Sequence, residues 1–231
     1  MQYLEQNIKG LCTKFGVDFN QFMADFQVDS VGELSMIDLE AFAEENEVDL
    51  YSLLYKPLFV LDHLKPLLAK IKLLILDVDG VMTDAGMYYT ESGDQFKKYN
   101  AKDGMAIMKA QAMGLRIGII SSAFTDKMVI NRANTLKIQH VYVGQEPKLD
   151  ILKQWCTEFG ISLDEVAMIG DDINDLQVME AVGFSCCPSD AVQVVKHTVD
   201  VVLNLKGGRG CVRELIDNYL LEQPIGSPQK S

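Results

Sequence analysis

The run Leu73-Leu74-Ile75-Leu76, followed at once by Asp77-Val78-Asp79-Gly80, constrains this chain more than any other feature. An uninterrupted apolar stretch of that kind reads as a strand buried on both faces, which belongs in a parallel sheet covered by helices. Carboxylates at the end of such a strand are costly to bury without partners. A side-chain period of two starts Asp77 and Asp79 on one face of the strand, and Gly80 lets the chain turn sharply behind them. A D-x-D pair alone is commonly a turn or a cap. Its position directly after a buried strand is what points to a site.

The same grammar recurs downstream. Leu115–Ser121, His140–Val143 and Val166–Gly170 read as further strands, each followed by a helical stretch, so residues 71–221 form an α/β domain with a parallel sheet. Between the first strand and its helix, Gly86–Tyr99 holds two short aromatic-rich runs around Glu91-Ser92-Gly93-Asp94, which predicts an inserted β-hairpin. Ligands of open α/β sheets bind beyond the carboxyl ends of the strands, so the hairpin would stand over the site.

Residues 1–57 differ in kind. Eleven acidic side chains face three lysines there, and apolar residues recur at helical spacing, as in Leu4, Ile8, Leu11 and Phe15. Four or five short helices are expected, with Asp18 and Ser35 as N-caps, forming a small all-α domain. Residues 58–70 read as a connecting segment between Pro57 and Pro66, helical over about 58–63, and residues 222–231 as a disordered tail rich in Pro, Gly and Ser. A net charge of -12 over 231 residues disfavours a nucleic-acid surface, which needs a basic patch. No apolar run approaches the roughly 20 residues that span a bilayer, so no membrane partner is expected. The N-terminus has neither the basic start nor the apolar stretch of a secretory leader. Five cysteines without C-x-x-C spacing fit reduced thiols in a cytoplasm and act as core filler rather than as disulfides or a zinc site.

A second acidic cluster, Asp171, Asp172 and Asp175, ends another apolar strand. By itself it reads equally as an N-cap and acidic first turn. Set beside Asp77 and Asp79, it would repel them and raise their pKa values unless a divalent cation neutralised the group. Oxygen ligands without a nearby histidine or cysteine favour Mg²⁺ over zinc. Ser121, closing its strand, offers a hydroxyl to a phosphoryl oxygen. Lys148, at the start of a helix, is placed to meet an anion. Alone, the first is an ordinary turn former and the second a solvated lysine.

In this order and spacing, Asp77-x-Asp79, Ser121, Lys148 and Gly170-Asp171-Asp172-x-x-Asp175 resemble the haloacid dehalogenase superfamily, whose sheet is Rossmann-like. DVDGVMTD, the hairpin insert, NAKDG (100–104), VGQEPK (143–148), GDDINDLQVME and GGRGCVRE (207–214) look like the 3-deoxy-D-manno-octulosonate 8-phosphate phosphatases in particular. The resemblance implies a phosphatase with Asp77 as nucleophile, Asp79 as acid and base, and Ser121 and Lys148 holding the phosphoryl group. Mg²⁺ would be bound by Asp77, the carbonyl of Asp79 and Asp171, with Asp172 and Asp175 behind them. It further implies sugar-acid contacts at Asn100, Lys102, Asp103, Gly104 and a neighbouring subunit's Arg209. The enzyme would be a cytoplasmic homotetramer capped only by the hairpin, serving lipopolysaccharide biosynthesis.

Two departures stand out. The family's arginine soon after its NxRDG motif corresponds to Met108, and the one after its second-motif Thr-Gly corresponds to Ala123. Arginines there suit bidentate contact with a sugar carboxylate. A nonulosonate 9-phosphate therefore stands as an alternative substrate. A catalytically silent oligomerisation domain of the same fold is a second alternative, against which the retained Asp77, Asp79, Lys148 and Asp171 weigh. The run from Ile37 to Tyr55 resembles the last helices of lambda-repressor-like helix-turn-helix domains. Its acidity would repel DNA phosphates, so an interaction or oligomerisation module is expected instead.

Overall fold

The computed structural model describes residues 3–60, 63–92, 95–123 and 127–221; the predicted tail at 222–231 lies outside them. The chain divides into two compact units, one up to Lys65 and the other from Pro66.

The first unit is helical: α1 (Leu4–Phe15), α2 (Phe19–Asp25), a single 3-10 turn at Val31–Glu33, α3 (Met36–Glu45) and α4 (Leu50–Tyr55). Both predicted caps are present. Asp18 accepts from the Gln21 amide, and Ser35 forms a reciprocal capping box with Asp38. Leu4, Ile8, Leu11, Phe22, Leu39 and Leu53 bury a common core. At its centre, fully buried Asn7 donates to the carbonyls of Leu53 (2.8 Å) and Lys56 (2.7 Å) and accepts from the Leu58 amide (2.9 Å). The helix expected over 58–63 is absent at its described residues 58–60 and 63, and the helical turn comes later as α5 (Lys65–Leu68).

In the second unit, six parallel strands form one sheet. They are β1 (Leu73–Leu76), β4 (Arg116–Ser121), β5 (His140–Val143), β6 (Val166–Ile169), β7 (Phe184–Cys187) and β8 (Val201–Val202), in the order β5-β4-β1-β6-β7-β8. The strand beginning with Leu73 is thus central, paired with β4 on one side and β6 on the other, and its four residues have no exposed surface. β7 and β8 escape the sequence reading because FSCC and VV are short and lack alternation. The predicted hairpin is present as the antiparallel pair β2 (Tyr88–Tyr89) and β3 (Gln95–Phe96). Helices α6 (Ala101–Ala112), α7 (Lys127–Leu136), α8 (Lys148–Phe159), α9 (Leu176–Met179), α10 (Gln193–Thr198) and α11 (Cys211–Leu215) complete the unit. Among the described residues no helix is long and apolar enough to cross a membrane. All five cysteines are free and buried.

Candidate active site

The carboxyl ends of β1, β4 and β6 lie side by side because the three strands are neighbours in register, so Asp77, Ser121 and Asp171 meet at one edge. Lys148, the first residue of α8, is 4% exposed, and its Nζ donates to Asp77 Oδ1 and to Asp175 Oδ1, both at 2.6 Å. Carboxylate oxygens of Asp77, Asp171 and Asp175 lie within 4.8 Å of one another. One buried ammonium therefore serves three clustered carboxylates. The imbalance shows in their protonation. Burial, then the charge of Asp175, pushes Asp77 up to about 7, with Lys148 offsetting only part. Asp171 is pushed up to about 8 by burial and by the carboxylates of Asp77, Asp175 and Asp172. Burial depresses Lys148, but Asp77 and Asp175 outweigh it and hold its pKa above the usual lysine value.

Asp77 and Asp79 both lie beyond the strand and have different surroundings. The strand ends at Leu76, and the chain coils over Val78–Met82 with Gly80 at φ 87°, so a period of two no longer applies. Asp77 is buried, whereas the Asp79 side chain is 44% exposed and pairs with Lys97, the residue after β3. Thr83 Oγ1 also reaches Asp79 at 3.5 Å. The Tyr99 hydroxyl, buried two residues beyond Lys97, is pushed up to about 12 by burial and by the Asp79 charge. Sequence pattern marks Lys97 and Tyr99 as hairpin residues only. Their alternate spacing, leading out of a strand toward Asn100, is the signal that they share a face.

Gly80 is a steric requirement. A Cβ there would fall 1.9 Å from Asp171 Oδ2, and a Cβ at Gly207 would fall 1.9 Å from the Gly80 carbonyl oxygen, so the two glycines let this loop close tightly. Gly80→Ala is expected to displace the Asp171 carboxylate and strain a left-handed residue, lowering divalent-cation affinity at least about tenfold. Isothermal titration with Mg²⁺ measures this; unchanged affinity would refute the crowding argument.

The remaining candidates distribute unevenly. Ser121 is buried, and its Oγ accepts from the Ala123 amide at 3.3 Å. Asp175, expected behind the metal ligands, accepts directly from Lys148, and its other oxygen accepts from the Asp171 amide at 3.1 Å. Asp172 caps the 3-10 turn Ile173–Asp175. Asn100 caps α6 and donates to the Gly208 carbonyl at 3.3 Å, while buried Asp103 accepts from the Arg213 amide at 2.8 Å. Gly104 leaves room for the Arg132 guanidinium, which a Cβ would approach to 2.6 Å. These three residues tie α6 to the Gly207–Arg213 segment and to α7. Lys102 and Arg209 are exposed, as is Met108, and Ala123 is half-buried. Ser122 and Asn174, which no sequence motif singles out, join the β4 and β6 loops through a 3.3 Å hydrogen bond.

The chain is similar to known proteins in both sequence and fold. A sequence signature of the haloacid dehalogenase-like hydrolases matches residues 120–215. The 3-deoxy-D-manno-octulosonate 8-phosphate phosphatase of Escherichia coli strain K12 is 40% identical over 153 residues, 66% of this chain and 81% of that protein. The chain belongs to the haloacid dehalogenase-like hydrolases. The Yersinia pestis 3-deoxy-D-manno-octulosonate 8-phosphate phosphatase structure superposes with a TM-score of 0.68 at 38% identity, covering 70% of this chain and 87% of that one. A Moraxella catarrhalis enzyme of the same name, solved with a magnesium ion, a phosphate ion and a KDO molecule, gives 0.67 at 30% identity, covering 70% and 92%. Within the family this chain is a phosphatase.

Proposed function

We propose that this phosphatase is Mg²⁺-dependent, acts through an aspartyl-phosphate on Asp77, and takes a phosphorylated sugar acid, foremost 3-deoxy-D-manno-octulosonate 8-phosphate. The observation that carries the chemistry is the buried Lys148 held between Asp77 and Asp175, with Asp171 completing a cluster of oxygen donors. Three carboxylates so close, with raised pKa values and no nitrogen or sulfur donor among them, fit a hard divalent cation. Asp77, the Asp79 carbonyl and Asp171 would hold it. Bound Mg²⁺ supplies charge neutralisation and orientation of the phosphoryl group.

The chain's own residues do the rest. Asp77 attacks phosphorus in line as the bond to the sugar oxygen breaks, and Asp79 delivers a proton to that departing oxygen. Asp79 then takes the proton of the water that attacks the aspartyl-phosphate, which returns Asp77 and releases phosphate. Ser121 and Lys148 hold the non-bridging oxygens, and their burial strengthens those contacts. The retained Lys148–Asp77 contact also argues against a silent oligomerisation domain.

The substrate rests on similarity to the octulosonate phosphatases. Met108 and Ala123 keep a nonulosonate 9-phosphate in contention. On the motif resemblance we further propose a homotetramer, a cytoplasmic location and a role in lipopolysaccharide sugar supply. For the helical unit we favour an interaction module. The segment after α2 is only one 3-10 turn carrying Glu33, a poor element to enter a DNA groove.

Phosphate release from a panel of phosphorylated sugar acids, ranked by kcat/KM, tests the substrate. The octulosonate 8-phosphate is expected to lead by about tenfold or more, and EDTA to abolish release. A higher rank for a nonulosonate 9-phosphate would move the substrate; no release from any member would sink the reading.

A further inference from the structure

Outside the Lys148 cluster, one charged contact among the described residues joins the hairpin insert to the reacting groups. Lys97 follows β3 directly, its side chain is only 12% exposed, and its ammonium pairs with the Asp79 carboxylate. Lys97 has no other acidic partner among the described residues. On the same stretch, half-buried Tyr99 has its hydroxyl buried near Asp79 and its ring under the Arg132 guanidinium at 5.3 Å, and Arg132 donates to the Asn100 carbonyl at 3.2 Å. The strand end is thus anchored two and three residues beyond Lys97, which limits where its ammonium can go. Asp79 itself is poorly restrained from its own loop. The Thr83 hydroxyl at 3.5 Å is at the limit of a hydrogen bond.

We propose that Lys97 is a positioning residue for Asp79, through which the hairpin sets the aim of the carboxyl group that serves the leaving oxygen. The inference rests on the function proposed above. Lys97 neither gives nor takes a proton in the reaction. Proton delivery remains with Asp79, and the ammonium fixes the carboxyl group on the hairpin side of the loop. A charged hydrogen bond of this kind is directional and stronger than a neutral one, so it can select one side-chain rotamer of a half-exposed aspartate. Anchoring on the insert, not on the sheet, also explains why so mobile a side chain as lysine suffices: the backbone carrying it is held by Arg132 and by the Asn100 cap of α6.

Single-turnover phosphoryl transfer from a series of substituted phenyl phosphates tests this, because good leaving groups need little proton help and poor ones need much. In Lys97→Met the rate on the poorest leaving group is expected to fall about ten- to a hundredfold, and on p-nitrophenyl phosphate hardly at all. Dependence on leaving-group basicity therefore steepens. Lys97→Arg should restore the wild-type dependence, and it also serves as the folded comparison should the methionine variant fail to fold; a steepened dependence in a folded Lys97→Gln would then carry the same weight. An equal loss across the series, or no loss, would overturn the proposal. Asp77→Asn and Asp79→Asn are run alongside. If they abolish transfer while Lys97→Met behaves as wild type, only this inference falls; if Asp77→Asn keeps its activity, the function itself is wrong.

Discussion

Asp77→Asn is expected to cut turnover by about four to six orders of magnitude while making the metal-free protein more stable at neutral and alkaline pH. The two effects share one cause. Asp77 is buried beside Asp171 and Asp175, and its folded pKa of about 7 lies well above that of an unfolded aspartate. Between about pH 4 and 7 the folded protein therefore binds more protons than the unfolded chain, and stability falls as pH rises through that window. Asparagine cannot ionise, so the variant escapes that loss. Its advantage should be absent near pH 4, grow through pH 7 and level off above. After allowance for the lost Lys148 contact it is on the order of 2 kcal/mol, or roughly 4–8 °C in Tm. Added Mg²⁺ should reverse the order, because it stabilises only a protein that binds it. Thermal unfolding at pH 5 and 8, with and without Mg²⁺, provides the measurement. A variant less stable than wild type at pH 8 without metal would show that Asp77 is a structural anchor and not a carboxylate held at a cost.

Most of the candidate site is legible in the sequence because of where its residues stand on the fold. Asp77, Ser121, Lys148 and Asp171 stand at strand ends or a helix start, and parallel strands in register bring such ends together wherever the loops go. Backbone topology alone assembles them. Asp79 and Lys97 depend instead on a coil at Val78–Met82 and on the lie of a hairpin, neither of which has a period to read. The direct Lys148–Asp175 contact is hidden for a similar reason: Asp175 reaches inward only because the 3-10 turn Ile173–Asp175 folds back on its own cap. Strands β7 and β8 lie concealed in short runs, and the Leu58 amide donates to Asn7, fifty-one positions away, a contact that no local pattern marks. Local pattern supplies the frame; contacts made across the chain supply the rest.

Lys148→Met should be the most damaging single change to the domain. It removes the only basic side chain paired with Asp77 or Asp175 among the described residues and leaves both Oδ1 atoms buried without their donor. Breaking one side of a buried ion pair costs about 3–5 kcal/mol, which for a domain of this size is roughly 10 °C in Tm. The methionine matches the lysine stem in volume, so the loss is electrostatic and not a cavity. Turnover should fall about 10²- to 10³-fold, since a preorganised charge on the phosphoryl oxygens is lost as well. The informative comparison is the double variant Lys148→Met/Asp175→Asn. Neutralising Asp175 removes one orphaned carboxylate, so it should return about 0.5–3 kcal/mol of stability to the Lys148→Met background while destabilising the wild type. Activity should not return with it, because Asp175→Asn restores no charge to the phosphoryl site. Stability and rate then separate in a single cycle of four proteins, measured by denaturant unfolding and by p-nitrophenyl phosphate hydrolysis. Recovery of both together would mean that Lys148 matters only for holding the fold; recovery of neither would mean that Asp175 is not its counter-charge. The expected outcome, stability without rate, assigns Asp175 to placing the lysine and the lysine to the chemistry.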